Sequence, residues 1–429
     1  MNKGLIAQII NSELELATGC TEPAAIAYTA SVAAKHLQGE INKITVLASG
    51  NMIKNAMAAG IPGTPFTGIE YASALGAVGG NPDLLLEVAS QLTETDYQKA
   101  KELVESKQVS ADVINNGEKL YVDVTLFSDN GSSRAVINGG HTNIVLIEEN
   151  GKAVFTQDVG VSGGPITPEL IANELSVKTV YDYVCEMTAD EVPEMILKAI
   201  EINSYICEMG LQNEYGLQVG RVTRKNMENN LLGSNMVANA VMVTAAGSDA
   251  RMAGAPFSVV ANSGSGNQGI TATMPIVATA KWLGVDRETM LKAVTLSNLV
   301  PIYIKSKFGR LSALCGATVA STGAACGLTY LLGGTTYEHV CYAIQNMIGN
   351  VTGMLCDGAK ADCALKIATC VNAAFQAAML AMENMCVQQT DGIVEADVEK
   401  SIDNFTMLGN NGSKLMDEIV LRMMLDKQK

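Results

Sequence analysis

Leu5, Ile6, Ile9 and Ile10 recur at the spacing of one helix face, and Leu14 and Leu16 continue the apolar pattern. Gly19 is the expected stop of that first helix. Pro23 suits the first turn of a second helix, expected to run through Ala33 to about Leu37, with Gly39 as its stop. Cys20, Thr21 and Glu22 therefore fall in the tight connection between two helices. The run ITVLA over 44–48 predicts a short strand, and Ser49-Gly50-Asn51 leads from it into a helix near Met52. Further helices are expected over 71–78, 82–92 and 95–105.

Between 109 and 155 the period changes. Tyr121-Val122-Asp123-Val124-Thr125-Leu126 alternates, Asp129-Asn130-Gly131 marks a turn, and Arg134-Ala135-Val136-Ile137 resumes the alternation. A further apolar run over 144–147 reaches a turn at Asn150-Gly151. This pattern predicts an antiparallel β meander. Beyond about Pro165 helical periodicity holds almost throughout, with no convincing strand. The fold class expected is an α+β N-terminal domain over 1–165 with the β meander, followed by an all-α domain over 166–429.

Length agrees with two domains, since 429 residues exceed one ordinary core. Hydrophobic residues make up 48% and charged ones 17%, with 40 glycines, a balance suited to closely packed small-residue helices. The formal charge of −15 disfavours nucleic acid and anionic membrane, because neither gains from cation-driven counterion release. The segments 252–280 and 311–337 carry no charge, yet polar and Gly-rich stretches interrupt both. Helices buried in a soluble core are expected there, rather than membrane spans. The opening residues carry Lys3, Glu13 and Glu15 and do not read as a signal peptide, so a cytoplasmic location and reduced cysteines are expected for all ten thiols.

The richest loop is Ala261-Asn262-Ser263-Gly264-Ser265-Gly266-Asn267-Gln268-Gly269, placed before an apolar helix over 270–283. Its glycines let the backbone approach a ligand, and a helix start offers N–H groups to an anion such as a carboxylate. An ordinary capping loop has the same composition. Cys315 opens the small-residue segment, and Cys356 and Cys363 flank Asp357-Gly358-Ala359-Lys360-Ala361-Asp362. Their spacing matches neither a zinc finger nor a ferredoxin run, although a turn at Gly358 could join the two sulfurs. Thiolate ligation favours iron–sulfur or zinc. On one continuous helix Cys326 lies about 16 Å from Cys315, and Cys370 about 10 Å from Cys363. Cys185, Cys207, Cys341 and Cys386 read as core thiols. Cys20, ahead of a helix start, is expected to have a lowered pKa and thiolate character, or else to fill a helix corner. His141, between Gly139-Gly140 and Thr142-Asn143, could reach a site, whereas His36 and His339 read as surface or packing residues. Lys54, Asn55, Lys305 and Arg310 offer polar or cationic groups with either site or solvated roles.

Taken together, Gly19-Cys20-Thr21-Glu22-Pro23, Gly139-Gly140-His141-Thr142-Asn143, the 262–269 loop, Leu314-Cys315-Gly316, and Cys356-Asp357-Gly358 with Cys363 resemble the iron–sulfur-dependent L-serine dehydratase family, more closely its single-chain L-cysteine desulfidase branch. The resemblance implies a 4Fe–4S cluster held by Cys315, Cys356 and Cys363, with one iron left open. It also implies a direct catalytic role for Cys20, as base or fourth ligand. Glu22 and His141 would assist proton transfer, Thr21 would help orient the amino group, and Asn262, Ser263, Gly264 and Ser265 would hold the substrate carboxylate. The expected reaction is β-elimination of L-cysteine to pyruvate, ammonia and hydrogen sulfide. L-serine dehydration is the alternative, and a non-catalytic amino-acid-binding protein, a pyridoxal-phosphate enzyme and a small-solute carrier are the rivals. The expected partners are a small amino acid and a second copy of the chain, with no nucleic acid and no membrane.

Overall fold

A computed structural model describes residues 2–158, 166–308, 314–412 and 414–427. Eight strands are described: β1 (Leu14–Thr18), β2 (Lys43–Ala48), β3 (Val109–Val113), β4 (Tyr121–Ser128), β5 (Gly131–Asn138), β6 (Ile144–Glu149), β7 (Lys152–Thr156) and β8 (Ser258–Asn262). Six of them form a sheet in the order β3-β2-β4-β5-β6-β7. The alternation seen from Tyr121 onward does produce antiparallel ladders from β4 through β7. The sheet is mixed rather than wholly antiparallel, because β2 pairs in parallel with β3 through the intervening helices. Its apolar side chains, among them Ile44, Val46, Val122, Val124, Leu126 and Ile137, bury against the helices Thr21–Lys35 and Ile69–Gly79.

The second body is helical, with Met236–Met252, Gly266–Leu283, Arg287–Phe308, Gly316–Leu331 and Cys363–Met382 stacked around a core of Ala, Val, Ile and Leu. Small residues set the spacing. A Cβ on Gly323 would lie 2.1 Å from the Ser297 carbonyl oxygen, so the small-residue helix meets Arg287–Phe308 backbone to backbone with no room for a methyl group. Among the described residues one helix, Cys363–Met382, is long and apolar enough to cross a membrane. It packs against Gly316–Leu331 and Met236–Met252.

Four expectations are corrected. The first helix ends at Glu13, and Leu14–Thr18 is β1, paired antiparallel with β8 from Leu14↔Asn262 to Thr18↔Ser258. The segment 252–280 is accordingly not one buried helix, since β8 interrupts it before Gly266–Leu283 begins, and the region beyond 165 contains a strand. The β8 backbone is also met by Asn203, whose amide donates to the Val260 carbonyl at 3.1 Å and accepts from the Val260 N–H at 2.8 Å. Finally, 82–92 forms only a short 3₁₀ turn, Pro82–Glu87. The two hydrophobic cores are not contiguous in sequence: Ile6, Ile9, Ile10 and Leu14 belong to the helical core, whereas Leu421 and Leu425, near the other end, pack on the sheet core.

Candidate active site

Leu314 bridges Leu355, and the Cys315 N–H donates to the Met354 carbonyl at 2.8 Å, so the backbone itself sets Cys315 beside Cys356. The chain then turns at Gly358, whose φ of +99° belongs to glycine, and Cys363 opens the helix Cys363–Met382 with its thiol 3.8 Å from the Gly358 carbonyl. Cys315, Cys356 and Cys363 line one cavity of about 110 Å³ together with Cys20, Thr21, Glu22 and Arg251. Of the other thiols, Cys207, Cys326 and Cys370 are buried and Cys341 and Cys386 half-buried. None lines this cavity. Cys185, expected in the core, is exposed.

Four helix starts meet around these residues. Cys20 caps Thr21–Lys35, Ser265 caps Gly266–Leu283, Cys315 caps Gly316–Leu331, and Cys363 is the first residue of its helix. Helix N-termini carry partial positive charge and unpaired N–H groups, which suits thiolates and anionic ligands. Lys305 adds a buried cation whose pKa burial pulls down to about 8, with Cys356 opposing that fall.

Glu22 is the hub of the N-terminal part. Its carboxylate accepts from the Cys20 thiol at 2.9 Å, the Thr21 hydroxyl at 3.1 Å and the Asn55 amide at 2.9 Å. Burial pushes the Glu22 carboxyl up, but His141, the Cys20 hydrogen bond, its own backbone N–H and Arg251 together hold it below its ordinary value. Cys20 moves the other way: burial first, then the Glu22 charge, raise it well above a free thiol, against an opposing pull from Arg251. The expected thiolate is therefore corrected to a protonated thiol donating to a carboxylate, because desolvation and a neighbouring anion outweigh the helix terminus. His141 is buried just after β5 and acts on Glu22 electrostatically, without lining the cavity.

The 262–265 loop divides in two. Gly264 and Ser265 line the cavity. Asn262 and Ser263 stand behind it, with Asn262 donating to the Asn298 carbonyl at 3.1 Å and accepting from Ser263 at 3.0 Å and Gln268 at 2.9 Å. Lys54 is drawn away into an ion pair with Asp417 at 2.5 Å, and Arg310 lies outside the described residues. Arg251, Asn267, Gln268 and Lys305 also line the cavity. Arg251 carries no local motif, and its one sequence signal is to be the last charge before a long uncharged stretch.

Among the described residues no three His, Cys, Asp or Glu side chains stand close enough to hold a single metal ion. Three thiols spaced around a cavity suit a wider group with several metal atoms. Burial and then the Cys356 and Cys363 charges push the Cys315 thiol up, a mutual repulsion that bound iron would reverse by stabilising the thiolates. The three thiols are donors of the kind that hold an iron–sulfur cluster.

A family model described as serine dehydratase alpha chain matches residues 84–422, a span that contains all three converging cysteines but not Cys20 or Glu22. The chain is also similar to proteins named UPF0597. That of Porphyromonas gingivalis is 41% identical over 429 residues, covering 99% of this chain and 98% of the relative. That of Oleidesulfovibrio alaskensis is 42% identical over 421 residues, covering 98% and 97%, and that of Clostridium perfringens is 41% identical over 426 residues, covering 99% of both. These relatives extend the match across the Cys20 segment.

Proposed function

We propose that this chain, which belongs to the serine dehydratase alpha-chain family, is a lyase that eliminates the β-substituent of a small L-amino acid. L-cysteine plus water would yield pyruvate, ammonia and hydrogen sulfide, with L-serine as the alternative substrate of the same machinery. The observation that supports this reading most is the convergence of Cys315, Cys356 and Cys363 on a cavity that also holds the Cys20–Glu22 pair.

Those three cysteines would hold a 4Fe–4S cluster, which supplies Lewis acidity toward the leaving sulfur or oxygen. The remaining chemistry belongs to the chain. The α-proton passes to the Cys20 sulfur as the thiol proton moves to Glu22 across their 2.9 Å hydrogen bond, so the pair accepts one proton without a free thiolate. Thr21 and Asn55 keep the Glu22 carboxylate aimed at Cys20. Gly264 and Ser265 present backbone to the substrate, and Asn262 and Ser263 fix that backbone from behind. The aminoacrylate released tautomerises and hydrolyses in water.

The test is anaerobic reconstitution with iron and sulfide, followed by iron counts and parallel sulfide and pyruvate assays on both amino acids. Cys356→Ala should lose cluster and turnover, whereas Cys386→Ala should keep both. Equal behaviour of the two variants, or wild type that takes up no iron, would refute the ligand set.

A further inference from the structure

Arg251 sits in the last turn of the helix Met236–Met252, is 4% exposed and lines the cavity. Its side chain runs over the first residue of the next helix: a Cβ on Gly266 would lie 2.3 Å from Arg251 Nε. Among the described residues Nε–H finds no acceptor, and the one contact of the guanidinium is Nη1 to the weakly accepting Met252 Sδ at 4.0 Å. A buried guanidinium without a carboxylate is among the most unfavourable groups to leave inside a protein, and its planar fork matches a carboxylate through two parallel N–H bonds. Glu22 brings an anion to the same cavity, within electrostatic range of Arg251, yet its carboxylate is taken up by Cys20, Thr21 and Asn55. Beside Lys305, the cavity thus holds a guanidinium with no carboxylate hydrogen-bonded to it and a carboxylate whose hydrogen bonds go to other donors. That pattern is the complement of a zwitterion.

We propose that Arg251, with the N-terminal turn of the helix Gly266–Leu283, is the α-carboxylate anchor of the site and restricts it to free α-amino acids, while Glu22 faces the substrate ammonium. The inference rests on the lyase reading above and names its substrate class. An amine lacking the carboxylate, or an amino acid with that group blocked, leaves the guanidinium buried and unpaired and is rejected for that reason.

The test uses full-length, anaerobically reconstituted wild type, Arg251→Lys and Arg251→Met. Calorimetric binding of L-alanine, a zwitterion with no leaving group, and of ethylamine, which lacks the carboxylate, is read beside sulfide release from L-cysteine and beside iron per chain. Removing one partner of a buried charge pair should weaken L-alanine binding about a hundredfold in Arg251→Met, and about tenfold where lysine keeps the charge without the fork. KM for L-cysteine should rise in parallel with a smaller change in kcat, iron content should hold, and the preference for binding L-alanine over ethylamine should collapse in Arg251→Met. Unchanged L-alanine binding in Arg251→Met, no binding by wild type, or a defect that tracks only lost iron would each overturn the anchor. Wild type that binds L-alanine through Arg251 but releases no sulfide or pyruvate would sink the lyase reading alone.

Discussion

Replacing Gly358 by alanine probes how the cysteine loop is seated against the N-terminal part of the molecule. Two effects add at this position. With φ at +99°, an L-residue carries a backbone strain of about 1–2 kcal/mol. The new Cβ would also stand 2.1 Å from the Lys54 carbonyl oxygen and 3.0 Å from its carbon, backbone atoms that cannot rotate aside, and such overpacking costs about 1–3 kcal/mol. The sum is about 2–5 kcal/mol. Gly392 separates the two effects, because its φ is +64° but nothing lies within 4 Å of where an added methyl group would stand; Gly392→Ala should lose only the first component, about 1–2 kcal/mol. The assay is the urea midpoint of each metal-free variant, with iron per chain after reconstitution. Gly358→Ala should fall further in midpoint and retain less iron, since the displaced segment is Lys54-Asn55 on one side and Cys356 to Cys363 on the other. Equal midpoints and equal iron in the two variants would show that this contact does not position the ligands.

Glu22→Gln should lower kcat by about 10²–10⁴ while leaving iron content unchanged, because it removes the proton acceptor and not a ligand; a variant with wild-type turnover would remove Glu22 from the mechanism. Burial raises the Asp249 carboxyl to about 6 despite the Gly220, Val219 and Gln218 N–H groups. A folded pKa above the unfolded one means that the native state binds the extra proton, so stability declines as pH rises from about 4 to about 6 and is level above that. The decline is roughly 3 kcal/mol. Urea midpoints of wild type and Asp249→Asn at pH 4 and pH 7 should therefore diverge toward the higher pH, and parallel curves would contradict the assignment. Asp417→Asn leaves the Lys54 ammonium, 2% exposed, without its carboxylate and should destabilise the fold by about 3 kcal/mol; an unchanged thermal midpoint would mean that the ion pair is replaced by solvent.

Much of the local structure was legible because it depends on neighbours in sequence. The 3.6 period of Ile6, Ile9 and Ile10, the alternation from Tyr121 and the turn at Asn130-Gly131 each report one buried face or one obligatory φ, and those features reappear in the fold. The small-residue stretch after Cys315 was readable as a buried helix for the same reason. Leu14 to Thr18 was not, since five residues with apolar positions at Leu14, Leu16 and Ala17 suit a helix end as well as a strand. A partner near Ser258, 240 residues away from Thr18, decided between them.

Residue chemistry therefore established which groups this protein has to work with: thiols at helix starts, a glycine turn between two of them, and a polar loop ahead of an apolar helix. Tertiary structure alone decided how those groups act. It set Cys315 beside Cys356 through a backbone bridge, kept Cys20 protonated by burying it against Glu22, and brought Arg251, which belongs to no motif, into the cavity with its Nε–H unpartnered among the described residues. The physical reason is that desolvation and charge proximity depend on distances through space, and no local pattern of residues encodes them.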